Sequence, residues 1–211
     1  MRGPALLIGA LLAVGVACSS NSGGGGGIDP GPTDSTVPGD SLNFLHAALT
    51  APPLAERTIG LWAVRGQTRE IRLMYRPKAG QADSVEFARF RVDAQSLVND
   101  SAGNPIANGD SILITLGVQD TLHLITEFRP SGLVFSSTKP ARLWLKFGEA
   151  DPDLNGDGSV TAADTTLLLS LTIWKQEQPT DPWSLVPSTV NLASQEVEAD
   201  IRGFTRFAVA Y

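Results

Sequence analysis

Arg142-Leu143-Trp144-Leu145-Lys146-Phe147 alternates with a period of two. In an extended chain this puts Leu143, Leu145 and Phe147 on one face and Arg142, Trp144 and Lys146 on the other, as in a strand with one buried face. The same period recurs outward from this stretch. It runs through 85–92, 112–118 and 121–128 on one side, and through 171–176, 189–192, 196–201 and 205–209 on the other. Nearer the N-terminus, Ile59-Gly60-Leu61-Trp62-Ala63-Val64 and Ile71-Arg72-Leu73-Met74-Tyr75 flank Arg65-Gly66-Gln67-Thr68, a spacing that predicts a hairpin. Residues 99–110 are rich in Asn, Asp, Gly and Pro and read as a loop. Two short helices are expected, at 162–170 and 42–49. About nine to eleven short strands with one clear helix predict a mainly β fold, an antiparallel immunoglobulin-like β-sandwich.

Composition agrees and narrows the function. With 21 glycines and 14 prolines in 211 residues, the chain suits many short strands joined by turns better than a helical bundle. A net charge of −6 offers no basic patch to displace counterions, so a nucleic-acid partner is not expected. One cysteine excludes an intrachain disulfide and a multi-cysteine zinc site. His46 has no acidic or cysteine partner nearby in the sequence, and His123, among Leu122, Leu124 and Ile125, reads as a strand residue rather than a ligand. A nucleophile elbow, a phosphate loop and a dinucleotide fingerprint are all absent. The expectation is a protein that is not an enzyme.

The N-terminus reads as an export signal. Arg2 precedes an uncharged, mostly apolar run over 5–17, too short for a bilayer-spanning helix, which needs roughly 20 residues. The run stops at the lone cysteine, and Val14-Gly15-Val16-Ala17-Cys18 resembles the lipobox of bacterial lipoproteins, although Gly15 stands where Leu is usual. The resemblance implies that residues 1–17 are removed and Cys18 is lipidated. The membrane is then a partner through the lipid anchor, and Ser19 implies outer-membrane sorting if two membranes are present. Residues 18–41, with five consecutive glycines, are expected to form a disordered tether, leaving 42–211 as the folded domain.

One stretch carries metal chemistry: Asp153-Leu154-Asn155-Gly156-Asp157-Gly158-Ser159-Val160-Thr161-Ala162-Ala163-Asp164. Calcium takes six to eight oxygens, and a twelve-residue loop supplies them from alternate positions around a glycine at the sixth. Asp153, Asn155 and Asp157 fill the first, third and fifth positions and Gly158 the sixth. Ser159 would give its carbonyl, Thr161 a hydroxyl or bridging water, and Asp164 the closing carboxylate. Val160 is expected to tuck into the core. Starting the register at Asp151 would put Ala162, which has no side-chain oxygen, at the twelfth position. With the apolar helix that follows, the loop resembles one repeat of a dockerin, the calcium-stabilised plug of cellulosome enzymes. A dockerin has two repeats, and this chain has one.

A second resemblance covers 85–211. Phe128-Arg129-Pro130-Ser131-Gly132-Leu133-Val134-Phe135, Pro140-Ala141-Arg142-Leu143 and Phe204-Thr205-Arg206-Phe207-Ala208-Val209 occur in an order similar to the β-sandwich module of ankyrins, netrin receptors and zonula-occludens proteins. It implies a structural or binding module. Gly203-Phe204-Thr205 lacks the histidine of that module's self-cleaving relatives.

Trp144 and Trp174 lie on the polar-facing parity of their strands. They either offer a ligand face that stacks sugars, or pack beneath the helix at 162–170 or the segment 42–54. Two functions therefore stand side by side. One is a calcium-stabilised envelope lipoprotein that binds an unknown protein or serves a structural role. The other is an accessory module for polysaccharide breakdown, by dockerin-like docking or carbohydrate binding.

Overall fold

The computed structural model describes residues 35–211. The expected signal sequence over 1–17, Cys18 and the expected tether up to residue 34 lie outside the described residues. In chain order the strands are β1 (Thr36–Val37), β2 (Thr58–Val64), β3 (Arg69–Met74), β4 (Glu86–Val92), β5 (Leu97–Asn99), β6 (Ser111–Asp120), β7 (Ile125–Arg129), β8 (Val134–Phe135) and β9 (Ala141–Lys146). The helix α1 (Ala162–Leu169) follows, then β10 (Thr172–Gln176), β11 (Trp183–Val186), β12 (Ser188–Asn191), β13 (Glu196–Ile201) and β14 (Arg206–Ala210).

All strand pairs are antiparallel, and they form two large sheets and a ribbon. The seven-stranded sheet runs β1-β11-β10-β14-β7-β6-β2, the five-stranded sheet runs β12-β13-β9-β4-β3, and β5 pairs with β8. The fold is a mainly β, antiparallel sandwich with one helix, as the periodicity predicts. Alternation sets the two faces. Ala141, Leu143 and Leu145 of β9 and Ala88, Phe90 and Val92 of β4 point inward, against Ile114 and Leu116 of β6 and Phe207 and Val209 of β14.

The centre is aromatic. Phe90 of β4 meets Phe128 of β7 at 4.9 Å between ring centres, and Phe204 lies 4.9 Å from both Phe128 and Phe135. These rings join one sheet to the other, and each such pair is worth about 0.5–1.5 kcal/mol beyond the area it buries.

Three expectations are corrected. The predicted hairpin is a corner: β2 pairs with β6 and β3 with β4, so the chain changes sheets at 65–68. Turn residues serve a hairpin or a corner equally well, and tertiary partners decide between them. Here Arg65 N–H donates to the Asp110 carbonyl at 2.9 Å and Gly66 N–H to the Ala94 carbonyl at 2.8 Å, which fixes the turn to the start of β6 and the end of β4. Gly66 has φ +96, and a Cβ there would sit 2.4 Å from Asn108 Oδ1.

The helix expected over 42–49 does not form. Asn43 and Tyr211 exchange both backbone hydrogen bonds, Leu45 N–H donates to the Val209 carbonyl, and Ala47 N–H to the Leu122 carbonyl. An eight-residue helix is marginal without tertiary support, so these outside partners win. The tether also ends earlier than expected: Thr36 and Val37 pair with Ser184 and Trp183, and Gly39–Ser41 forms one 3-10 turn.

Candidate metal centre

The loop between β9 and α1 is fastened to one end of the sandwich before it reaches Asp153. Ala48 N–H donates to the Glu149 carbonyl at 3.0 Å and Asp151 N–H to the His46 carbonyl at 2.8 Å. The Tyr211 hydroxyl donates to the Leu154 carbonyl. The phenol is pushed up from its usual range, first by burial and then by the Asp164 and Asp153 charges beside it.

Beyond Asp153 the side chains organise the backbone. Asp153 Oδ1 accepts from Asp157 N–H at 3.1 Å, and Oδ2 from Gly158 N–H at 2.7 Å. Asn155 Oδ1 also accepts from Asp157 N–H, at 2.9 Å, and Asp157 Oδ1 accepts from Ser159 N–H at 2.9 Å. Short polar side chains that bond amides two residues ahead bend the chain in successive tight turns. Gly156 and Gly158 take φ of +70 and +86, the left-handed region glycine enters without cost. The loop thus brings Asp153, Asn155 and Asp157 to one rim.

Thr161 and Asp164 form a reciprocal capping box at the start of α1. Thr161 Oγ1 accepts from Ala163 N–H at 3.2 Å, and Asp164 Oδ2 accepts from Thr161 N–H at 2.7 Å. Asp164 Oδ1 meanwhile accepts from Leu154 and Asn155 N–H at 2.9 and 3.2 Å, and Oδ2 also takes the Thr161 hydroxyl at 3.2 Å. These bonds hold the carboxyl below the usual range, the Thr161 amide contributing most, against the opposing effect of desolvation.

The donor chemistry fits a hard cation at five of the six expected ligands. Each oxygen of Asp153, Asn155 and Asp157 has one donor and keeps a lone pair. The Ser159 carbonyl and the Thr161 hydroxyl are oxygen donors of the same kind. Asp164 differs: its two oxygens have two donors each, so as placed it ties the end of the loop to its beginning. Among the described residues, no three carboxylate or imidazole groups converge into an assembled cluster. Val160 is 66% exposed instead of tucked into the core; α1 fully buries only Asp164, and of its leucines Leu168 packs partly against the core while Leu169 is exposed.

The two tryptophans do not share a face. Trp144 is on the five-stranded sheet and Trp174 on the seven-stranded one. Trp144 is buried beneath the Arg89 guanidinium, 4.3 Å from the ring centre, with Arg142 at 5.8 Å. Trp174 packs with Trp183, Leu42 and Phe44 in a small outer cluster. The proposed sugar-stacking face is therefore replaced by packing, beneath guanidinium groups for one ring and beneath the 42–44 segment for the other.

The histidines are where sequence reasoning falls short. His123 lies in the turn after β6, not in a strand, and its Nδ1 is 2.6 Å from Asp120 Oδ2. Burial pushes the Asp120 carboxyl up, but the bonds from His123 and Leu122 more than offset this and leave it below the usual range. His46 meets His123 edge to face, with ring centres 4.8 Å apart. Both line a cleft of about 400 Å³ together with Asp151, Asn155 and Tyr211. The Asp120-x-x-His123 spacing was a usable signal for the first contact. Nothing local signals the second.

Comparison with protein-family models, curated proteins and solved structures finds no match. The likenesses to lipoproteins, a dockerin repeat and the ankyrin-type module rest on the quoted motifs.

Proposed function

We propose that this chain is a non-catalytic cell-envelope lipoprotein, a β-sandwich that works as a binding or structural module and is clamped by one calcium ion. The observation that supports the reading is the rim of Asp153, Asn155 and Asp157, whose oxygens keep lone pairs while their own amide bonds pre-form the turn. With the Ser159 carbonyl and the Thr161 hydroxyl or a water, these residues would hold the ion. Asp164 joins them only by exchanging some of its amide bonds for it. Calcium would neutralise the concentrated carboxylates and fasten the loop to the end of the sandwich that carries Tyr211.

The expected effect is modest. Extracellular calcium modules bind at about 10⁻⁴–10⁻³ M, and an ion at ten times its Kd adds about 1.4 kcal/mol. Chelation should lower the Tm of the wild type and leave Asp157→Ala unchanged. Identical melting curves with and without chelator would sink the calcium reading. The anchor has its own test: Cys18→Ser should move the protein from the membrane pellet to the soluble fraction.

A carbohydrate-binding reading finds its observation elsewhere than at Trp144 and Trp174. Trp62 of β2 is 61% exposed and pairs across the strands with Leu113 of β6, itself 43% exposed. Loss of polysaccharide retardation in native gels on Trp62→Ala would support that reading over a purely structural role.

A further inference from the structure

We propose that His46 and His123 form a second metal site, for a transition-metal dication such as zinc or copper, independent of the calcium loop. The chain has two histidines, and the fold brings both to one cleft from distant segments. Their ring centres are 4.8 Å apart, with planes at 84°. With a zinc–nitrogen bond of about 2.0–2.1 Å, each ring centre lies roughly 3.2 Å from the ion, so a ligand angle of about 95–110° separates the centres by roughly 4.7–5.3 Å. The observed separation falls within that range.

The surroundings supply what such a pair needs. Asp120 Oδ2, 2.6 Å from His123 Nδ1, fixes the ring and leaves Nε2 for a metal, the carboxylate–imidazole arrangement that orients metal-binding histidines. Asp120 is held in turn, its Oδ1 accepting from Leu122 and His123 N–H at 2.8 and 3.2 Å. Phe44 packs against His123 at 6.2 Å and gives the site an apolar back wall. His46 is exposed, so an ion can enter from solvent. Two imidazoles leave the remaining coordination positions to water, since among the described residues no third carboxylate or imidazole converges with them. Imidazole favours zinc, copper and nickel over calcium, so the two sites select different ions although they share a cleft.

The test is a zinc titration of the full chain by calorimetry in millimolar calcium, in a Cys18→Ser background so that the thiol takes no zinc. One equivalent should bind. His46→Ala and His123→Ala should each weaken binding at least tenfold, and Asp120→Asn by about 10- to 100-fold. Copper(II) bound to the same protein should show two coordinated nitrogens by electron paramagnetic resonance, and one in either alanine variant. Because His46 is exposed, its variant should keep the wild-type circular dichroism spectrum. Asp157→Ala should leave the zinc isotherm unchanged, which separates this site from the calcium reading. Absence of zinc binding, or equal affinity in His46→Ala, overturns the proposal.

Discussion

Two loops of this molecule are built from the same residue types and end in different places. In 100–104, Asp100 Oδ1 accepts from Ala102 and Asn104 N–H at 2.9 and 2.8 Å, Oδ2 accepts from Asn104 Nδ2 at 3.1 Å, and Gly103 takes φ +85. One carboxylate meets its donors, and the loop is complete. In 153–164, Asp153, Asp157 and Asp164 occupy one winding loop with Asn155, and each carboxylate oxygen of Asp153 and Asp157 accepts a single hydrogen bond. The difference is the number of charges brought together. A single acid in an Asp/Asn/Gly loop is a turn-maker. Three in one loop leave a concentration of negative charge that amide donors only partly offset, which the proposed cation would relieve.

The contrast breaks most severely at Asp164. Asp164→Ala strips the partner from the amides of Leu154, Asn155 and Thr161 together, whereas Asp100→Ala frees donors that already face water. In chelator, Asp164→Ala should therefore give the largest Tm loss of any loop variant, well beyond that of Asp100→Ala. Comparable losses would mean that Asp164 has no special closing role.

A matched glycine pair sharpens it next. Gly103 and Gly158 have φ of +85 and +86, and a Cβ at either would meet nothing within 4 Å. Alanine at each should cost roughly 1–2 kcal/mol from left-handed strain alone. In chelator the two variants should match. With calcium added, Gly103→Ala should gain as much stability as the wild type and Gly158→Ala less, because strain at the sixth position disfavours the ion-bound turn. A similar calcium gain in both would remove the distinction between the loops.

Thr161→Ala is smaller. The cap it removes is worth about 1 kcal/mol, or roughly 2–4 °C in Tm for a domain of this size. In chelator the loss should be that of the cap alone, since the capping box is formed by protein atoms. With calcium added the variant should also gain less stability than the wild type, because the Thr161 hydroxyl is one of the proposed ligands.

How far the sequence revealed this molecule follows the range of the forces involved. The alternation of 142–147 identifies β9 because each side chain's face is a local matter of parity. The turn-forming spacing of 153–164 likewise depends on residues within reach of one another. Sheet membership is not local. Arg65-Gly66-Gln67-Thr68 folds as a corner because Ala94 and Asp110 are waiting for its amides, and neither is near it in the chain. β11 was missed because Pro182 and Pro187 bracket its four residues, so it is recognisable only beside Lys175 and Thr36. Trp144 reads as exposed by parity and is covered by Arg89 from the neighbouring strand. The His46–His123 contact needs the extended 42–47 segment, whose bonds to Val209 and Leu122 no local propensity foretells.

The smallest effect expected is the dependence on acid. Asp100 and Asp164 are both held below the ordinary carboxylate value of 3.8, Asp100 chiefly by the Asn104 side chain and Asp164 chiefly by the Thr161 amide. A carboxyl whose folded pKa lies below its unfolded one binds more protons when unfolded, so stability rises with pH across that interval. Each contribution is complete above about the unfolded value and is lost as pH falls through it toward the folded one. In chelator, Tm should therefore decline below about pH 4–5 in the wild type. Asn at either position removes that group's share, so Asp100→Asn and Asp164→Asn should each flatten the decline. The flattening at Asp164 should persist at 1 M salt, because the side chain is buried and is held by direct hydrogen bonds from neighbouring amides, which salt screens little. If Asp164→Asn follows the wild-type curve in parallel from pH 6 to pH 3, the amides at 154, 155 and 161 do not hold that carboxylate in solution.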